Sequence, residues 1–333
     1  MDKIFNFFKK DNNDQLSKLN SYDLDILSDY LNEYLIDYRD NLNLSSNITF
    51  GTEIELAFAN VYDIKRKVDL NKSLTYEWDT SHETSIERGA EVVSPIMEDK
   101  INFWKELKKV CKIIEKLGTI NTETSSHVHV GSQILGTNKQ NWLNFIKLWS
   151  AYENIIYRFT NGEFINTRIA AYDYAFPIRK ELKETYEKYK CNSKTLYNML
   201  CKLSKERNQA VNFMNVNKKS INTIKDKNTI EFRTPNGTTD YVIIQNNINF
   251  LVKLLLYSKN TDYNNDIIEK RIRNLETNID SYFYENVCLD QALELVDLIF
   301  DNNLDKINFL KQYLKNYEET NRIDCKCKKI TSR

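Results

Sequence analysis

Hydrophobic positions recur at three- and four-residue intervals in several stretches of the chain, the spacing that lines up one face of an α-helix. Leu24, Leu27, Leu31, Tyr34 and Leu35 predict a helix over 22–36, with Ser21 placed to cap it. Trp104, Leu107, Val110, Cys111, Ile114 and Leu117 predict a second over 99–117, with Asp99 as N-cap and Gly118 as its stop. Trp142, Phe145, Trp149, Tyr152, Ile156 and Phe159 predict a third, from Asn138 to about Phe159. A fourth begins near Asp240 and carries Ile244, Ile248, Leu251 and Leu255, and the stretch from Leu289 to Tyr317 reads as one or two more.

Four shorter stretches alternate with the two-residue period of a strand. In 48–58, Ile48, Phe50, Ile54, Leu56 and Phe58 fall on one face, and Gly51, Glu53, Glu55 and Ala57 on the other. Glu91 sits among Ala90, Val92 and Val93 in 89–95; in 125–131, His127 and His129 share a face with Gly131 while Val128 and Val130 point away. In 228–234, Ile230 and Phe232 oppose Glu231 and Arg233. Taken alone, 48–58 also fits a solvated outer face, whereas the apolar neighbours of Glu91 imply a partly buried glutamate that needs a partner. The recurrence favours an α+β fold with one antiparallel sheet, helices packed on its apolar face, and a polar face that gathers Glu53, Glu55, Glu91, His127, His129, Glu231 and Arg233 into one cavity.

Composition narrows the function classes. The 333 residues carry 47 Lys plus Arg and 47 Asp plus Glu, a formal charge of zero, which gives no pull toward nucleic acid or anionic membrane. With 41% hydrophobic and 12% aromatic residues the chain can bury a core and is not a disordered protein. No apolar run reaches the roughly 18 residues of a membrane span, and residues 1–10 lack the apolar stretch and cleavage site of a signal peptide, so a cytoplasmic protein is expected. The six cysteines are scattered and read as free thiols. The chain has only 7 Gly, so those within the strand motifs, Gly51, Gly89, Gly131 and Gly237, mark backbone freedom or close approach.

Clustered carboxylates with imidazole make a site for a divalent metal, and hard oxygen ligands favour Mg²⁺ or Mn²⁺ over zinc. An adjacent Arg suits a phosphate, which it binds in a bidentate way. Together they point to phosphoryl transfer on a nucleotide. The chain has no GxxxxGK[ST], GxGxxG or GxSxG, and its HxH lacks a third His or Cys nearby, so P-loop, Rossmann, kinase, serine hydrolase and zinc hydrolase readings lose their support.

Gly51-Thr-Glu-Ile-Glu-Leu56, Asp79-Thr-Ser81 with Gly89-Ala-Glu-Val-Val-Ser-Pro95, His127-Val-His-Val-Gly131, and Thr229-Ile-Glu-Phe-Arg-Thr with Gly237-Thr238 together resemble the amidoligase family, within the glutamine synthetase and glutamate-cysteine ligase group of folds. The motifs arrive in the family's order over roughly residues 47 to 255 and are specific as a set. The resemblance implies a glutamine synthetase-like catalytic fold and an ATP- and Mg²⁺-dependent ligase that joins a small-molecule or peptide carboxylate to an amine through an acyl phosphate. It implies that Glu53 and Glu55 each hold a different Mg²⁺, with Glu231 joining Glu53 and Glu91 joining Glu55. His127 then corresponds to a metal ligand, His129 to a contact with the ATP phosphates, and Arg233 to the group that stabilises the transferring phosphoryl. Arg207 resembles a basic residue before the final strand that binds phosphate or substrate carboxylate; a solvated helix face with Lys202 and Lys205 is the alternative.

The expected division is a helical extension, 1–46, a catalytic domain, 47–258, and a helical segment with a basic polar tail, 259–333. Asp79 reads equally as a metal ligand and as a turn former, and His82 as an exposed loop residue. The segment 162–200, with Arg168, Tyr172, Asp173, Tyr174 and Phe176, reads equally as a substrate lid and as an aromatic packing loop. An oligomer is compatible with the sequence. A binding protein that has lost turnover and a phosphotransferase of the same fold are the alternatives to a ligase.

Overall fold

The structure is a computed structural model, and it describes residues 38–161, 174–178, 195–203, 206–224, 227–273 and 288–314. The helix expected over 22–36, the basic tail and most of the expected lid lie outside these residues. Six strands form one antiparallel sheet: β1 (Phe50–Leu56), β2 (Asp79–Glu83), β3 (Gly89–Val93), β4 (Ser126–Gly131), β5 (Val211–Asn212) and β6 (Thr229–Phe232), in the order β2-β3-β1-β4-β6-β5. Eight helices are present among the described residues: α1 (Val61–Lys67), α2 (Ile101–Ile114), α3 (Lys139–Thr160), α4 (Leu196–Leu203), α5 (Tyr241–Ser258), α6 (Asn265–Arg273), α7 (Leu289–Ile299) and α8 (Asn303–Tyr313). The fold class is α+β. No helix among the described residues is long and apolar enough to cross a membrane.

The apolar sheet face carries Ile54, Val92, Val130 and Ile230, all fully buried. Aromatic side chains of α2 and α3 cover it. Phe50 of β1 stacks on Trp104 of α2 with centroids 5.3 Å apart, and Phe232 of β6 stacks on Trp149 of α3 at 5.6 Å. Behind them α8 packs on α3 and α5, where Phe309 stacks on Phe159 at 4.4 Å and Phe250 lies 4.7 Å from Phe159.

Helix ends follow local chemistry. Asn138 caps α3 by accepting from the Gln140 N–H at 3.0 Å, and Asp240 caps α5 by accepting from the Val242 N–H at 2.9 Å. Three details differ from the sequence expectation. Asp99 does not cap α2; its carboxylate accepts from the Leu42 and Leu44 N–H groups and from Trp104 Nε1, tying the entry segment to the helix. Gly118 does not stop α2, which ends at Ile114; a Cβ there would meet the Leu56 and Ala59 Cβ atoms at 2.9 and 3.0 Å, so it is the close approach of the chain to β1 that selects glycine. Phe58 does not continue the apolar face of β1: the strand ends at Leu56, and Phe58 takes φ 51° and is 46% exposed.

Candidate active site

Strand register alone assembles the polar face. Glu55 lies opposite Glu91, Glu53 opposite His127, His129 opposite Glu231 and Gly51, Ser81 opposite Glu91, and Asn212 opposite Glu231. Like charges directly across a strand pair are destabilising, so the Glu55–Glu91 pairing disfavours ionising both carboxyls. Glu55, His127, Glu231 and Arg233 are buried, and Glu53 and Glu91 are half-buried.

His127 is the hub. Its Nδ1 lies 2.9 Å from Glu53 Oε2 and 3.8 Å from Glu231 Oε1, while its Nε2 lies 3.0 Å from Ser125 Oγ and 3.7 Å from Glu55 Oε1. The Ser125 N–H donates to Glu55 Oε2 at 2.7 Å. His129 Nδ1 bonds with Thr229 Oγ1 at 3.2 Å; its Nε2 is buried 3.0 Å from Glu53 Oε1, out of line for a hydrogen bond. Glu231 accepts from Arg233 Nη1 at 2.5 Å and from Asn212 Nδ2 at 2.8 Å, and Arg233 Nε donates to the Tyr174 carbonyl at 2.9 Å.

These contacts divide the ionisable groups. Burial alone would raise the pKa of Glu53, but the close approach of His127 and then of His129 outweighs it and holds the carboxyl well below the usual carboxylate range. Burial also opposes charge on His129, and Glu53, then Glu231 and Glu91, reverse that and raise its pKa. Glu91 has no such partner: burial, followed by the charges of Glu53, Glu55 and Glu83, pushes it up to about 8. Five carboxyl groups thus share the face with two imidazoles and Arg233.

Among the described residues, three groups of side chains each bring donor atoms within 4.8 Å of one another: Glu53, His129 and Glu231; Glu53, Glu91 and His127; and Glu55, Glu83 and Glu91. Glu53 and Glu91 each belong to two groups. Glu83 was not anticipated, because the segment Asp79-Thr-Ser-His-Glu lacks apolar alternation and reads as a loop; it forms edge strand β2, whose pairing turns Ser81 and Glu83 to the polar face. Asn212 was missed for a similar reason, since β5 is two residues long. Asp79 is exposed, accepts from the Thr80 N–H at 3.0 Å and joins none of the three groups. His82 is exposed beside Tyr62.

Two pockets flank the cluster. One, of about 290 Å³, is lined by Gly51, Glu53, Pro95, Ile96, His129 and Ile224 among others. The other, of about 550 Å³, is lined by Glu55, Glu83, Glu91, His127, Arg207 and Arg233 among others. Arg207 stands exposed on the turn after α4, not on a helix face; Lys202 is exposed on α4 and Lys205 lies outside the described residues. Of the expected lid, Tyr174 and Phe176 are described, and Tyr174 lines the larger pocket.

A model of the family described as putative amidoligase enzyme matches residues 65–255, more than half of the chain. The chain belongs to the amidoligase family. This places it among ligase-type enzymes acting on small molecules. Glu91, His127, His129, Arg207, Glu231 and Arg233 fall inside the matched residues; Glu53 and Glu55 precede them, on β1, which pairs with β3 and β4 of the matched stretch. No curated protein matches the chain.

Proposed function

We propose that the protein is an ATP- and Mg²⁺-dependent carboxylate–amine ligase of glutamine synthetase-like fold, forming an amide through an acyl phosphate. The observation that carries this reading is the convergence of five carboxylates, two imidazoles and Arg233 on one sheet face between two pockets, in a member of the amidoligase family. The residues fit divalent cations on their own chemistry. Their donors are mostly hard oxygens, burial and then the neighbouring carboxylates push Glu91 up to about 8, and the buried His129 Nε2, beside Glu53 and Glu231, lacks an aligned partner. Glu53, His129 and Glu231 would hold one cation; Glu91 with His127 and Glu53, or with Glu55 and Glu83, would hold others.

When bound, the nucleotide with its cations supplies an activated phosphoryl group whose charge the cations screen. The chain's own residues do the rest. The smaller pocket, with apolar Pro95, Ile96 and Ile224 and the bare backbone of Gly51, suits a nucleotide base and ribose, and Glu53 and His129 also line it. The larger pocket offers Arg207 and Arg233 to a substrate carboxylate. Arg233, oriented from behind by Glu231 and the Tyr174 carbonyl, stabilises negative charge developing on the transferred group.

The test is incubation of the protein with ATP, Mg²⁺ and a pool of amino acids and short peptides, following ADP and searching by mass spectrometry for condensation products one water lighter than their reactants. ADP with a new amide-linked mass is the expected result. ADP with a phosphorylated product and no amide would make it a phosphotransferase, and ATP binding without turnover would make it a binding protein.

A further inference from the structure

We infer that Tyr157 and Glu153 of α3 are positioning residues for the guanidinium groups of the larger pocket, acting through the short segment 174–178. Neither side chain lines either pocket, and both are fully buried.

The segment ties together the two parts of the chain that carry the arginines. Its Tyr174 carbonyl accepts from Arg233 Nε at 2.9 Å. Two residues on, the Phe176 N–H donates to the Asn208 carbonyl at 2.8 Å, and the Ala210 N–H donates back to the Phe176 carbonyl at 2.9 Å, a parallel bridge that fixes the turn bearing Arg207. The Arg233 N–H donates to the Ala210 carbonyl at 3.0 Å, so Arg233 is held through both backbone and side chain by the same small assembly.

That assembly is fastened to α3. The Tyr157 hydroxyl donates to the Ala175 carbonyl, and the Ile178 N–H donates to Glu153 Oε1 at 2.8 Å. The same oxygen accepts from Trp149 Nε1 at 2.8 Å, which locks the Glu153 side chain against its own helix. Residues 153 and 157 are four apart and share a helix face, so one face grips both ends of a four-residue span. The α3 backbone departs from helical geometry at Tyr152 (φ −125°, ψ 20°), immediately before this face. A fully buried carboxylate is expensive in a core where an apolar residue would pack more cheaply. Satisfying the Ile178 N–H, a buried backbone donor with no sheet partner, gives Glu153 a reason to be there. The consequence reaches the chemistry, because displacing a charge-stabilising group by about 1 Å can cost up to a hundredfold in rate.

The kinetic part of this inference rests on the ligase reading; the exchange and modification parts do not. Tyr157→Phe removes the hydroxyl with little change of volume. The expected result is amide hydrogen exchange about tenfold faster in 174–178 and 207–213, about tenfold faster modification of Arg233 by phenylglyoxal, and unchanged Mn²⁺ affinity. The kcat of Mg²⁺-dependent ATP turnover should fall about tenfold with KM for ATP unmoved. Glu153→Ala should show the same pattern, and Glu153→Gln, which keeps an acceptor oxygen, should recover most of it. Unchanged exchange and Arg233 reactivity in Tyr157→Phe would overturn the proposal. So would a loss of kcat that comes only with lower melting temperature and weaker Mn²⁺ binding, the pattern of a merely structural role. Absence of turnover in the unmodified protein would contradict the ligase reading, and the exchange and phenylglyoxal measurements would still decide the positioning role.

Discussion

On the helix-covered face of the sheet, Ile54, Val92, Val130 and Ile230 lie sealed beneath aromatic side chains, whereas the same strands, one residue out of phase, set Glu55 across from Glu91 and Glu53 across from His127. One backbone thus carries two opposite energetic regimes. Burial on the first face drives folding at about 25 cal/mol per Å² of apolar surface. On the second, like charges are brought together and partly desolvated, which folding alone does not reward. The first face supplies the stability that offsets the crowding of ionisable groups on the second. Substitutions on the two faces should therefore fail in different ways.

The largest effect is expected on the apolar side. Phe232→Ala removes a ring stacked on Trp149 and should cost about 4 kcal/mol in urea denaturation, with Mn²⁺ affinity unchanged while the protein remains folded. Next, Arg233→Ala should leave Mn²⁺ affinity intact or higher, because Glu231 loses its cationic partner, yet lower metal-dependent ATP turnover by about 10²–10³-fold, or about 3 kcal/mol. A matching loss of metal affinity would break the distinction between charge-stabilising and metal-holding groups.

Within the polar face the comparison sharpens to two carboxylates. Glu91, pushed up to about 8 from an ordinary 4.5 by burial and by Glu53, Glu55 and Glu83, favours its protonated form in the folded state. Its contribution to stability is therefore complete below about pH 4.5 and is lost as pH rises through about 8. In metal-free buffer, Glu91→Gln should be more stable than the unmodified protein by about 2 kcal/mol at pH 9 and about equal to it at pH 4.5, by thermal unfolding across pH. Glu53 is held low by His127 and His129, so Glu53→Gln should instead cost about 1–2 kcal/mol at neutral pH. Smallest of all, Asn138→Ala removes the α3 cap and should cost about 1 kcal/mol with no change in metal affinity or turnover.

Much of this arrangement is legible in the chain because alternation and strand pairing share a period of two. Once Glu53, His127, His129 and Glu231 are placed on alternating strands, antiparallel pairing leaves them a common face. What stayed hidden lacks that signal. Edge strand β2 has no apolar alternation, so Glu83 read as a loop residue, and the two residues of β5 are too few to show a period. Asp99 looked like a cap because it precedes α2, but its carboxylate finds three more distant donors in the fold. The hold of the 174–178 backbone on Arg233 is a tertiary contact across 59 residues, which no local pattern encodes.

The most direct test is a Mn²⁺ titration of the metal-free protein, followed by electron paramagnetic resonance, alongside Glu53→Gln. Glu53 belongs to two of the three donor groups, so the unmodified protein should bind the ion and the variant should bind it at least about tenfold more weakly while remaining folded. No binding by the unmodified protein, or equal affinity in both, would contradict the assignment of the polar face as a divalent cation site.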